Sequence, residues 1–214
     1  MTRVLTPELL DSLPPDHPDA QHSRRDLRVI NRAMGNHRWF ARTLPPLLRA
    51  RELALELGAG TGELAARLGR HGVAVDGLDR GPPPADWAPA RTWHSTDLRV
   101  FDGYRHYPAV LGNLIFHHLT DDELAALGAT LRRTARVILA SEPTRSPRAQ
   151  RLFAVLSPLF GANRVTQHDG RVSIAAGFVG GELPRALGLE DRDWKFHCDV
   201  TWLGGYRMIA SRRS

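Results

Sequence analysis

A glycine turn set between two apolar runs limits what this chain can fold into more than any other feature. Residues Leu53–Asp79 read LALELGAGTGELAARLGRHGVAVDGLD. Ala54–Leu57 has the length of a buried strand and is bounded by Gly58. Gly58, Gly60 and Gly62 then alternate with other residues. Glycine at such places allows positive φ and lets a ligand come against the backbone. Glu63–Arg70 carries Leu64, Ala65 and Leu68 at helical spacing, and Gly72 supplies a stop. Val73–Leu78 reads as a second strand, followed by Asp79. The unit is half of a βαβ motif. Its turn falls at the carboxyl edge of a parallel sheet, where such folds bind ligands.

The turn departs from the dinucleotide fingerprint G-x-G-x-x-G. Its third glycine comes one residue early, and Glu63 stands where that pattern wants glycine. Glu56 lies just before the turn. Glu-Leu-Gly-Ala-Gly-Thr-Gly, residues 56–62, resembles motif I of the class I S-adenosylmethionine (AdoMet) methyltransferases. The resemblance implies a Rossmann-like α/β fold. Its seven-stranded sheet would be mostly parallel with an antiparallel last strand, with helices on both faces and an N-terminal helical lid. AdoMet has no pyrophosphate, and the ammonium at its methionine end suits an acid such as Glu56. Asp79 stands where a carboxylate takes the ribose hydroxyls in nucleotide-binding α/β folds. Thr96-Asp97-Leu98 resembles motif III, where the acid accepts from the adenine amino group; Asp97 equally suits a turn cap. The cofactor residues implied are Glu56, Gly58, Ala59, Gly60, Gly62, Asp79, Arg80, Asp97, Leu98 and Asn113.

The chain of 214 residues has room for one domain with a sizeable core. We divide it into a lid segment, 1–49, and the methyltransferase domain, 50–214. No run of about 18 apolar residues is present, so no membrane span is expected. The N-terminus lacks a basic segment followed by an apolar one. Cys198 is the single cysteine, which excludes an intramolecular disulfide and a cysteine-based zinc cluster. A cytoplasmic protein, monomer or homodimer, is the expectation. The net charge of +6 invites a nucleic-acid partner. Against it, the arginines are dispersed and Lys195 is the only lysine, a skew that looks like codon bias.

Ahead of the first strand, Thr6–Leu13 suits a short helix with Thr6 as cap and Pro7 at its first position. Pro14, Pro15 and Pro18 should then break the chain. Gln21–Met34 reads as a helix ended by Gly35-Asn36, and His37–Leu48 as another, broken by Pro45-Pro46. In small-molecule methyltransferases such segments commonly cover donor and acceptor. Ser23, Arg24, Arg25, Asn36 and His37 are then candidates for cofactor or substrate contact. The prolines of Arg80–Pro89 leave space for only a helix fragment, with Trp87 either packing on the adenine or, the favoured reading, covering the sheet edge.

Arg91–Ser95, Ala109–Phe116 and Arg136–Ala140 read as strands three to five. Thr120 and Glu123 form a capping box for a helix with Leu124, Leu127 and Leu131 inward. Pro147–Phe160 and Glu182–Leu187 read as helices. Asp193–Thr201 and Tyr206–Ser211 read as the last two strands, joined at Gly204-Gly205. Gly161–Gly181 has no clear period. It stands where an insertion commonly shapes the acceptor pocket in the family, and His168-Asp169 reads as a loop pair or a second base.

Gly-Asn-Leu-Ile-Phe-His-His-Leu, residues 112–119, resembles the post-strand-four motif of small-molecule methyltransferases. Alignment of donor and acceptor can supply much of the rate, since effective molarities reach ~10⁵–10⁸ M. A hydroxyl acceptor must also lose a proton, and a histidine near neutral pKa is suited to take it. His117 and His118 are the candidates. They are expected to point to different sides, with His117 favoured; the alternative is that both only hold the loop. Glu142 would orient His117, or instead bind substrate or cap Thr144–Ser146. His168 joins Arg24, Asn36 and His37 as a substrate candidate. No metal-ligand spacing stands out, and no metal is expected.

Cys198 is poorly placed for cytosine-5 chemistry, Asn-Leu-Ile-Phe is not an Asp/Asn-Pro-Pro-aromatic motif, and Lys195 is poorly placed for a lysine-dependent ribose enzyme. The expected function is AdoMet-dependent methylation of a hydroxyl on a small molecule, phenolic or polyketide-like. The alternatives are a small-molecule N-methyltransferase and a non-catalytic AdoMet-binding regulatory protein.

Overall fold

The computed structural model describes residues 1–14, 16–190 and 192–213. Pro15, one of the expected chain breakers, lies outside them. Three helices come first: α1 (Leu9–Ser12), α2 (Pro18–Met34) and α3 (Asn36–Thr43). Then follow β1 (Ala54–Leu57), α4 (Glu63–Gly69), β2 (Val75–Asp79), β3 (Trp93–Ser95) and β4 (Ala109–Asn113). The chain continues through α5 (Asp121–Thr134), β5 (Val137–Pro143), α6 (Pro147–Leu159), α7 (Arg164–Ala176) and α8 (Glu182–Ala186). It ends in β6 (Trp194–Val200) and β7 (Gly205–Arg212). Among the described residues one seven-stranded sheet forms, in the order β3-β2-β1-β4-β5-β7-β6. β7 runs antiparallel to both neighbours, and the other pairings are parallel. The expected fold class is therefore the one observed.

Alternation along the strands builds a core on each face. Leu55, Val110 and Ile138 pack toward Leu124, Leu127 and Leu131 of α5. Ala54, Leu111, Val137 and Leu139 pack toward Leu64 and Leu68 of α4 and Phe40 of α3. The register then fixes the working edge. Leu57 pairs with both Leu78 and Gly112, and Asn113 pairs with Ser141. The exits of β1, β2, β4 and β5 therefore lie side by side, which gathers Gly58, Asp79, Asn113 and Glu142 along one rim.

Several local expectations need correction. Pro18 does not break the chain; it opens α2, with the His17 side chain accepting from Asp19 N–H, because proline at a first helical turn wastes no donor. α1 is not capped by Thr6. Asp169 caps it from α7, accepting from the amides of Leu9 and Leu10 at 2.8 and 2.9 Å. The segment 161–181 is not an irregular insertion, since α7 fills most of it, capped by Asn163. Its buried face, Val165, Thr166, Asp169 and Ile174, mixes polar with apolar residues, so hydrophobic period alone does not reveal it. β5 runs on past Ala140, taking Ser141, Glu142 and Pro143 into the sheet opposite β7. Trp87 packs edge-on against Trp93, covering the sheet near β3.

Candidate functional site

A cavity of about 1270 Å³ opens over the carboxyl edge of the sheet. Its floor comes from the glycine turn, and its roof from the N-terminal segment with α1 and α2. Ligand pockets usually run ~300–1,000 Å³, so this one has room for more than one drug-sized molecule. Leu10, Leu27, Ile30, Leu152, Phe153 and Leu156 give it a largely apolar wall.

At the turn, Gly58, Gly60 and Gly62 take φ of +62°, +50° and +69°. A Cβ on Gly60 would meet nothing nearer than 3.9 Å, so the backbone there faces open space. Asp79 braces the turn: Oδ2 accepts from Gly60 N–H at 2.9 Å and Oδ1 from Gly81 N–H at 2.8 Å. Glu56 is buried and accepts from Ala65 N–H at 3.1 Å. Burial pushes its carboxyl up to about 8, the Ala65 amide opposing and the charge of Asp79 adding to the rise. Asn113 donates from Nδ2 to Asn31 Oδ1 at 3.1 Å, and Asn36 donates to the same oxygen at 2.9 Å. The Oδ1 atoms of Asn113 and Asn36 are both buried without a hydrogen-bond partner among the described residues. Glu56, Gly58, Ala59, Gly60, Asp79, Arg80, Asp97, Leu98 and Asn113 line the cavity, whereas Gly62 stands behind it against Trp87. Asp97 caps its own turn through Arg99 N–H and is gripped by the Arg99 guanidinium.

The histidine pair sits on a single 3-10 turn, Phe116–His118, just past β4. Leu114 enters it at φ +59°, a backbone conformation that a non-glycine residue seldom adopts. Glu142, fully buried, anchors the turn. Its Oε1 accepts from the amides of Ile115 and Phe116 at 3.0 Å each, and its Oε2 lies 2.6 Å from His117 Nδ1. The two histidines do not point to different sides. Their rings lie 4.2 Å apart at 36°, and both Nε2 atoms face Glu8 Oε1, at 3.5 Å from His117 and 4.0 Å from His118. The tight turn packs the rings together where an extended strand would have parted them. Burial opposes charge on His117, but Glu142 and Glu8 overcome it and lift the imidazole to about 9. His118 is held below its ordinary value by burial and by the charge on His117.

Glu8 was not legible from the sequence, because nothing near it marks it. It reaches the histidines because its segment is strapped down. Arg3 donates to the carbonyls of Leu119 and Ala176 at 2.7 and 2.9 Å and meets Asp121 at 2.7 Å. Ser173 of α7 donates to Glu8 Oε1. Burial raises the Glu8 carboxyl, yet His117 and His118 together hold it below the usual range.

The substrate candidates divide. Arg24 and His37 line the cavity. Burial, with Arg67 nearby, pushes His37 down to about 4, so it is neutral at ordinary pH. Asn36 is buried behind Asn31. His168 is not among the cavity-lining residues; it pairs with Asp169 at 2.9 Å on α7.

No protein-family model matches the chain, and no curated protein matches it by sequence. Among solved structures it is similar to the plantazolicin methyltransferase BpumL in complex with a triazolic desmethylPZN analogue and SAH. That match has a TM-score of 0.72 at 11% identity, over 96% of this chain and 93% of that one. It is similar to magnesium protoporphyrin IX methyltransferase (ChlM) from Synechocystis PCC 6803 with bound SAM, with a TM-score of 0.52 at 16% identity over 96% and 88%. A third similar structure concerns the conversion of a disulfide bond into a thioacetal group during echinomycin biosynthesis. Its TM-score is 0.57 at 18% identity, over 84% and 82%. At these identities the likeness is one of fold.

Proposed function

We propose that this chain binds AdoMet at the glycine turn and methylates a hydroxyl on a small molecule held in the apolar part of the same cavity. The observation that carries the reading is the set of leftover acceptors around an open glycine backbone. Asn113 Oδ1 is buried and unpaired among the described residues, Glu56 is buried with one bond from Ala65, and Asp79 ends the strand next to that of Glu56. Such a set suits a ligand with an ammonium and vicinal hydroxyls, which donate where a pyrophosphate could only accept. Asn113 and Glu56 would take the ammonium, Asp79 the ribose hydroxyls, and Asp97 with Leu98 the adenine. When bound, AdoMet supplies an electrophilic methyl group. The solved structures of similar fold that hold SAH or SAM support this choice of cofactor.

The protein's own part is positioning and proton management. Apolar side chains of α1, α2 and α6 keep water from the acceptor and align it, the larger share of the acceleration for an already activated donor. The acceptor hydroxyl must shed its proton, a step worth roughly 10²–10⁴-fold when a placed group assists. His118, held below its ordinary value and so unprotonated, is the cavity group suited to it, with Glu8 beside it; His117, lifted to about 9, already holds its proton and with Glu142 behind it fixes the turn. Arg24 and His37 would contact the acceptor or the cofactor from the roof.

Calorimetric titration with AdoMet, on wild type and Asp79→Ala, tests the reading. Micromolar-range binding that weakens at least about tenfold in the variant supports it. A folded wild type that takes no AdoMet, with or without a phenolic acceptor present, overturns it.

A further inference from the structure

His117 lines the cavity, and its Nε2 is buried, turned toward Glu8 and without a hydrogen-bond partner among the described residues. Buried polar atoms nearly always have one, so the exception asks for an explanation. The atom faces Glu8 Oε1 at 3.5 Å, and His118 Nε2 faces the same oxygen at 4.0 Å. Both are too long for good hydrogen bonds. One ligand atom from each of Glu8, His117 and His118 lies within 4.8 Å of the others. Tetrahedral bonds of ~2.0 Å set their ligand atoms ~3.3 Å apart, so the trio, with separations of 3.5, 4.0 and at most 4.8 Å, stands somewhat wider than that spacing. Behind it, His117 Nδ1 is fixed on Glu142 Oε2 at 2.6 Å. That carboxylate turns Nε2 toward Glu8 and raises its basicity, the usual outer support of a metal-bound histidine.

We propose that Glu8, His117 and His118 bind one divalent transition cation of the zinc type, with Glu142 positioning His117. Two imidazoles and a carboxylate suit such an ion better than magnesium or calcium, which prefer oxygen. Three protein ligands would leave a fourth position, as in catalytic zinc sites, and all three residues line the acceptor cavity. A cation there would act as a Lewis acid for the acceptor hydroxyl in place of a histidine base, the proton leaving to bulk solvent as the acceptor binds. This role rests on the methyl-transfer reading; the binding does not. The set escapes a search for ligand spacing because Glu8 comes from the N-terminal strap and the histidines from the exit of β4.

The test uses the full chain without an affinity tag. Metal content is measured after equilibrium dialysis against zinc, and the absorption of bound cobalt is recorded. One ion per chain is expected. Glu8→Gln and His118→Gln should each weaken binding at least tenfold, and Glu142→Gln by 10- to 100-fold. Zinc should also slow trypsin cleavage after Arg3 in wild type, because Glu8 then ties the strap to the sheet, and should not in Glu8→Gln. Glu8 and His118 are partly open to solvent, so their variants carry the test even if Glu142→Gln fails to fold. A folded wild type that retains neither metal overturns the proposal, as does binding that the variants leave unchanged. AdoMet titration of the same preparations separates the two claims: zinc without AdoMet retains the site and removes the methyl-transfer reading, and AdoMet without zinc does the reverse.

Discussion

Glu142 Oε2 lies 2.6 Å from His117 Nδ1, with the carboxylate fully buried and its other oxygen holding the amides of Ile115 and Phe116. One side chain thus fixes both the imidazole and the strained turn that carries it. Glu142→Ala strands these donors and should cost about 3–5 kcal/mol in urea unfolding. Glu142→Gln keeps an accepting oxygen and should cost about 1–3 kcal/mol. Two variants within about 0.5 kcal/mol of wild type would refute this anchoring role.

Glu56 gives a pH dependence of definite sign. Its carboxyl rises from about 4.5 unfolded to about 8 folded, with burial as the main cause. Between these values the unfolded chain has released a proton that the folded chain retains, so stability falls as pH rises and levels off above about 8. Glu56→Gln removes that penalty while keeping an acceptor for Ala65 N–H. The variant should gain a few kcal/mol over wild type at pH 9 and little at pH 4, while binding AdoMet more weakly. Equal stability differences at the two pH values, from urea unfolding, would contradict it.

Gly60 separates folding from binding. Its φ of +50° strains any side chain, yet a Cβ there meets nothing closer than 3.9 Å. Gly60→Ala should therefore cost only about 1–2 kcal/mol in stability. The methyl group projects into the space assigned to AdoMet, so affinity should fall about tenfold or more by calorimetry. Unchanged affinity would move the cofactor away from this turn.

Asp169 secures the strap by capping α1 from another helix. Asp169→Ala should cost about 1–2 kcal/mol locally, as loss of a helix cap does. The readout is proteolysis: trypsin should cut after Arg3 several-fold faster than in wild type. An unchanged rate would mean that Arg3 and its carbonyl partners hold the segment unaided.

Gly128 sets packing against propensity. Glycine within α5 invites replacement by alanine, worth about 1 kcal/mol in an exposed helix. Here a Cβ would come within 2.3 Å of the Leu187 carbonyl oxygen. Backbone cannot swing aside, so Gly128→Ala should destabilise by about 1–3 kcal/mol in thermal unfolding. A rise in Tm would show that the two helices separate freely.

The sequence alone determined the sheet and its working edge. Apolar runs of strand length, glycines at alternate positions and the Thr120–Glu123 capping box are local signals, and local sterics and hydrogen bonding act on them directly. The strand exits near which Glu56, Asp79, Asn113, His117 and Glu142 lie follow from that periodicity, whereas the roles expected of these residues came from the resemblance to the methyltransferase motifs. What escaped depends on partners far along the chain. α7 is buried through a face that mixes Thr166 and Asp169 with Val165 and Ile174, Asp169 caps a helix from about 160 residues away, and Glu8 reaches the histidines because Arg3, Ser173 and Asp169 hold its segment. The two histidines converge because Glu142 tightens the turn beneath them. Long-range hydrogen bonds between buried groups decided these features, and such bonds leave no period in a sequence because either partner alone is an ordinary polar residue.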